Sequence, residues 1–171
     1  MHRDYAGEGV VVHWNAERCI HTGRCIAAQR HVFDPKRRPW VDPSQGTTEQ
    51  IVMAVERCPT GALTYTRTDG GAQEVISDLV EVRIGRDGPI TVHGAARVAG
   101  ERVGPLDDAR TATGRFALCR CGQTGHAPYC DNSHRGLAPG WGTDDRGATP
   151  ALAAAPIASP PTAPPNAAGA R

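Results

Sequence analysis

The residues with the clearest chemical potential are six cysteines in two groups of three, each with a histidine in reach. Cys19-Ile-His21-Thr-Gly-Arg-Cys25 is followed at a distance by Cys58-Pro59, and Cys119-Arg-Cys121 by Cys130-Asp-Asn-Ser-His134. Thiolate and imidazole are ligands for soft and borderline metals. The stretch 1–10 is mixed and polar, unlike an export signal, so the expected compartment is the cytoplasm, where thiols stay reduced and serve metals rather than disulfides. The longest apolar stretch, 151–158, is mostly Ala and interrupted by Pro156, and no membrane span is expected. No Ser/His/Asp arrangement, phosphate-binding loop or dinucleotide fingerprint is present, so no catalytic role is expected. A net charge of +1 removes a generally basic nucleic-acid binder.

In the first group, Cys19 and Cys25 keep the outer spacing of a Cys-x2-Cys-x2-Cys loop, and Cys58-Pro59 supplies the remote thiolate followed by proline. The middle position is Thr22. Three thiolates suit a 3Fe-4S cluster directly, whereas a 4Fe-4S cluster needs a fourth donor, for which His21 is the nearest group. Three unrelated buried cysteines are the bland alternative. This part resembles the divergent single-cluster ferredoxin domains of bacteria through Cys-x-His-x-Gly-x-Cys, Phe33-Asp34, Arg38-Pro39-Trp40 and the run from Cys58 to Tyr65. The resemblance implies a small ferredoxin-like half-module over residues 8–68.

In the second group, Cys-x-Cys is tighter than the two to four residues that separate paired ligands in zinc sites. Two thiolates so close can share one iron, while Cys130 and His134 hold a second. A helix running from Asp131 would bring the histidine one turn beyond the cysteine. Gly122 lets the backbone approach a sulfide, Pro128 stiffens the loop, and Asp131 or Ser133 can cap the helix. A Cys3His zinc site is the structural alternative. The pattern is similar to the signature of the CDGSH iron-sulfur proteins, the mitoNEET family. That likeness implies a 2Fe-2S cluster on Cys119, Cys121, Cys130 and His134, within a small β-rich module over 78–141. Asn132 stands where the family has Gly, and Asn is the non-glycine residue that best tolerates a left-handed backbone. Family members interlock as homodimers, which leaves a homodimer open here.

These ligands must be positioned by local structure. Val10 to Trp14 and Ala62 to Thr66 read as strands. Between them Thr47 and Gln50 form a capping-box pattern opening a helix with Ile51, Val52 and Val55 as its buried stripe, which ends at Cys58-Pro59. A helical turn follows Cys25. Val80, Val82 and Ile84 alternate with Glu81 and Arg83, and Asp87-Gly88 turns the chain into Ile90-Thr91-Val92. Residues 95–114 carry little pattern. Between the modules 69–77 reads as a linker, with Asp69 to Gln73 flexible, and 142–171, rich in Ala and Pro, as a disordered tail. The fold class is therefore α+β, two small modules and a tail. Lys36, Arg37 and Arg38 form a basic run, read either as a solvated turn or as a docking point for an acidic redox partner. His13, His31 and His93 read as ordinary polar residues, and His126 as a group that could reach a sulfide.

Only 28 of 171 residues are Leu, Ile, Val or Phe, while 25 are Ala, so apolar burial alone is thin. Metal–thiolate bonds are expected to staple each module, and loss of either cluster to melt its own module. An imidazole ligand raises a cluster's potential relative to a thiolate, and protons compete for it near pH 6.5, so release of the second cluster should speed up as pH falls. One-electron transfer between unknown donor and acceptor proteins is the leading function. Redox- or pH-sensitive cluster sensing or delivery is the alternative.

Overall fold

The computed structural model describes residues 1–98 and 108–142. All but the first residue of the expected tail lies outside them, as does part of the weakly patterned 95–114 stretch. Two antiparallel three-stranded sheets and a few short helices make up these residues. The α+β expectation is met.

The first sheet has the order β1 (His2–Gly7), β2 (Val10–Asn15), β3 (Leu63–Arg67). Strand β1 is absent from the sequence reading because its residues are polar or small and mostly exposed, so no apolar alternation marks it. Backbone pairing with β2, from His2–Asn15 to Gly7–Val10, defines it instead. Helix α1 (Arg24–Ala28) starts just before Cys25, and α2 (Thr48–Glu56) has the expected capping box, with Gln50 N donating to Thr47 Oγ1 and Thr47 N to Gln50 Oε1. Its buried positions are Ile51, Ala54 and Val55, whereas Val52 is only partly buried. They pack with Val10, Val12, Val32, Phe33, Val41 and Leu63 into the main core.

The second sheet has the order β4 (Glu81–Ile84), β5 (Ile90–His93), β6 (Arg115–Leu118), with α3 (Asp108–Thr111) before β6. Register pairs Val82 with Val92 and Ile84 with Ile90, as the alternation suggests. Yet β4 is exposed along its whole length, and Val82 and Ile84 are 56% and 65% exposed. The small core here is Val92, Phe116 and Tyr129, from β5, β6 and the loop after it.

Three arginines bind the sheets together. Arg115, 6% exposed, donates to the carbonyls of Val55 at 2.6 Å, Cys58 at 3.3 Å and Leu63 at 2.9 Å, and pairs with Glu74. It thus satisfies a carbonyl in the last turn of α2, where a cation also suits the helix dipole. Burial pushes the Glu74 carboxyl up, and Arg115 only partly opposes this. Arg18 donates to the carbonyls of Thr60 and Arg110 at 3.1 and 2.7 Å and to Thr113 Oγ1 at 2.6 Å. Arg135 donates to the His21 carbonyl at 2.8 Å. Gly61, with φ of 57°, sits where these parts meet, and a Cβ there would overlap Thr113. In the connecting residues Gln73 exchanges two hydrogen bonds of 2.9 Å with the Arg67 backbone, and Asp69 pairs with the Arg67 side chain.

Candidate metal centres

Cys19, Cys25 and Cys58 arrive from three different elements. Cys19 follows a single 3-10 turn, Cys25 lies in the first turn of α1, and Cys58 lies two residues beyond α2. The loop between the first two is shaped by His21 and Gly23, both in the left-handed region at φ of 51° and 72°. That conformation is uncommon for histidine. All three cysteines line one cavity of about 500 Å³ with His21, Trp14 and Trp40. His21 itself is exposed, with Nδ1 3.8 Å from Cys19 Sγ.

The cavity wall is aromatic. Trp14 and Trp40 meet edge to face with centroids 5.1 Å apart, and Phe33 and Tyr5 flank Trp40. The indole Nε1 atoms of both tryptophans are buried without a hydrogen-bond partner. Such orphaned donors are costly unless an acceptor completes them, and cluster sulfur supplies one. Trp14 lies near enough to Cys19 to favour its thiolate slightly, but short of a full hydrogen bond. Burial dominates the thiols: it pushes Cys19 up, and with the Cys58 charge lifts Cys25 to about 11. A cationic iron core offsets that cost, so the cavity suits an iron–sulfur group.

The second set is built on β6 and the loop after it. Cys119 follows β6, its N–H bonded to the Pro128 carbonyl, and Cys130 N–H bonds back to the Ala117 carbonyl of the same strand. Cys119 Sγ and Cys121 Sγ are 3.7 Å apart. A tetrahedral metal with metal–sulfur bonds of about 2.3 Å holds two thiolates about 3.8 Å apart. Cys130 Sγ and His134 Nδ1 are 3.4 Å apart, close to the roughly 3.5 Å that one tetrahedral metal asks of a sulfur and a nitrogen. Each pair is therefore sized for one metal. Among the described residues, however, the only group of three or more His, Cys, Asp or Glu donors within 4.8 Å of one another is His2, Asp4 and His13. Neither cysteine set closes around a single ion, which disfavours a Cys3His zinc site.

Backbone amides face the second set. Gln123 N–H points to Cys121 Sγ and Asn132 N–H to Cys130 Sγ, each at 3.4 Å. Burial raises the Cys119 thiol, but hydrogen bonds led by the Thr124 N–H outweigh it and the net shift is downward. Burial keeps Cys130 up, reinforced by the Cys119 charge. Burial and the Arg135 charge lower His134, favouring the neutral imidazole a metal needs.

The expected helix from Asp131 is instead a 3-10 turn, Ser133–Gly136, because Asn132 takes the left-handed conformation at φ of 80° and breaks the run. The tolerance expected of Asn is used. Asp131 precedes the turn and holds it, accepting from Ser133 N–H at 3.0 Å, Ser133 Oγ at 2.6 Å and Gly125 N–H at 2.9 Å. Gly122 is left-handed at φ of 74°. His126 is exposed and faces Asp131 at 3.7 Å. Trp141, which sequence spacing did not mark, lies beside His134 at 5.9 Å and under the Arg120 guanidinium.

Residues 5–68 match the family described as a divergent 4Fe-4S mono-cluster. The uncharacterized protein YjdI of Escherichia coli K12 is 36% identical over 64 residues, which are 37% of this chain and 84% of the relative, and the O157:H7 protein gives the same figures. The chain belongs to the divergent 4Fe-4S mono-cluster family. Beyond that mono-cluster domain, residues 87–135 match the CDGSH-type iron-binding zinc finger. No solved structure matches. The mono-cluster and CDGSH domains establish this chain as an iron–sulfur protein with both kinds of cluster.

Other sequence-marked residues take simpler places. Arg37 donates to the carbonyls of His31, Val32 and Pro39, and Arg38 to those of Pro35 and Arg37, so two members of the basic run staple their own loop. His13 bridges Asp4 Oδ1 and Thr66 Oγ1, each at 2.8 Å. Among the described residues no helix is long and apolar enough to cross a membrane.

Proposed function

We propose that this protein is a two-cluster, one-electron carrier rather than an enzyme, working between a donor and an acceptor protein in a thiol-reducing compartment such as the cytoplasm. The observation that supports it is the donor geometry of the second set, two pairs each spaced for one metal, beside a first cavity lined by three cysteines. Cys119 and Cys121 hold one iron of a 2Fe-2S cluster, and Cys130 with His134 the other. Cys19, Cys25 and Cys58 hold the second cluster, with His21 the fourth donor for a 4Fe-4S core. A 3Fe-4S core would leave His21 unused. When bound, each cluster takes up and returns a single electron.

The chain's residues set the terms of that exchange. Trp14 and Trp40 exclude water and present N–H groups, while Gln123 and Asn132 present backbone N–H groups at the second set. Such donors favour the reduced, more negative state. The proposed module limits are 8–68 and 78–141, joined by 69–77. Iron and sulfide analysis with low-temperature electron paramagnetic resonance on anaerobically purified protein tests the reading. About six irons per chain are expected for 4Fe-4S with 2Fe-2S and about five for 3Fe-4S, whereas zinc without sulfide would overturn it. The competing reading, delivery of the 2Fe-2S cluster, is favoured by the half-exposed Cys119 and Cys121. His134→Cys separates the two: delivery should collapse, while electron transfer should persist at a lower potential.

A further inference from the structure

The residues flanking the two ligand sets pack together. Ile20, the residue after Cys19, is 4% exposed and packs with Ala117 and Cys130. The next carbonyl, His21, accepts the hydrogen bond from Arg135, the residue after His134. On the other side of Cys19, Arg18 binds the carbonyl of Arg115 on β6 at 3.3 Å. Every neighbour of Cys19 in the stretch 18–21 is therefore packed on or bonded to the second module. Electron exchange through protein weakens steeply with distance and is poorest across gaps. Here Ile20, adjacent in sequence to Cys19, lies in one buried cluster with Ala117 and Cys130, with no open gap left on that side of the first set.

We propose that Ile20 is the electronic bridge joining the two sites, with the Arg135–His21 hydrogen bond as a parallel path, so that the chain works as an internal relay. This rests on the two-cluster reading above. One electron leaves one site, oxidising it by one, and arrives at the other, reducing it by one. No bond forms or breaks and no proton is required. The electron entering the relay comes from an external one-electron donor.

The test uses the full chain, purified anaerobically, with iron and sulfide measured first. Stepwise reduction with dithionite is followed by low-temperature electron paramagnetic resonance. When both sites are paramagnetic, their signals are expected to broaden or split by mutual interaction, and a substoichiometric dose of reductant generated by a laser flash should redistribute between them at a rate followed optically. Ile20→Ala combined with Arg135→Ala should slow that distribution several-fold at unchanged iron content, with the second site's potential lowered by loss of the Arg135 charge, while Ile20→Val should behave as the parent. A doubly paramagnetic spectrum equal to the sum of its parts overturns the bridge, and so does undiminished distribution in the double variant. Should the double variant not fold, the parent spectrum still decides. Iron and sulfide at one site alone would bring down the two-cluster reading and the relay with it. Two loaded but magnetically independent sites would bring down the relay only.

Discussion

The two cysteine sets solve the same electrostatic problem by opposite means. Around Cys19, Cys25 and Cys58 the protein uses bulk: a pocket walled by Trp14 and Trp40, where burial pushes two thiols up. Around Cys119, Cys121, Cys130 and His134 it uses a tight loop whose amides point at sulfur, and the Cys119 thiol is driven down. In a dry pocket a thiolate is costly until iron neutralises it. In the loop the Cys119 thiolate is favoured before metal arrives, while burial still holds the Cys130 thiol up.

Removing a ligand from each set should show that difference at its largest. Cys58→Ala is expected to abolish the first cluster and loosen the core around α2, leaving about two irons per chain. Cys121→Ala should remove about two irons and leave the first cluster's signal. Iron content and circular dichroism check both. The next effect concerns how separate the regions are. Arg115→Met leaves Glu74 without its buried partner and removes one donor from each of the Val55, Cys58 and Leu63 carbonyls, and should cost roughly 3–5 kcal/mol. Chemical denaturation followed at both sheets should show one shared transition moving, and two independent transitions would contradict the arginine-bonded interface. Gly61→Ala forces a left-handed alanine into Thr113 and should cost about 1–2 kcal/mol for the backbone alone, read from the same denaturation midpoint.

Smaller effects sharpen the contrast. Trp14→Phe keeps an aromatic side chain, smaller than indole, and removes the N–H, so the first site's potential should fall while the second stays put, as potentiometric titration would show. The smallest concerns Asp87, held below the usual carboxylate range by the N–H groups of Gly140 and Gly142, which it binds at 2.9 Å each. A depressed folded-state pKa contributes stability that is present above the unfolded value of about 3.9 and is lost as pH falls through the folded value. Asp87→Asn should therefore be less stable than the parent near neutral pH, with the difference shrinking below about pH 4 in denaturation midpoints.

Much of this was legible in the chain. The Thr47–Gln50 capping box, the strand from Val10, the hairpin near Asp87 and the left-handed Asn132 are local features, set by a few neighbouring residues. Strand β1 was illegible because His2–Gly7 has no apolar period, and its identity comes only from pairing with β2. The turn at Ser133 was misread as a longer helix because the left-handed Asn132 interrupts the run. The basic run reads as a solvated turn or a docking point, and nothing in its sequence reveals that Arg37 and Arg38 bond to their own loop.

The sequence by itself determined the chemistry. Thiolate and imidazole spacing over 19–25 and 119–134 limits which metals and pairings are open, and that information is local, whereas Cys58 reaches its set only through the fold. Only the tertiary structure decided what lies between the two chemistries. The hydrogen bonds of buried Arg115 to the carbonyls of Val55, Cys58 and Leu63, and the packing of Ile20 with Ala117 and Cys130, join residues 50 or more positions apart, and Trp14 meets Trp40 across 26. Long-range packing of that kind leaves no period or motif in the chain, because one arginine or one isoleucine looks like any other until the partner that buries it is known.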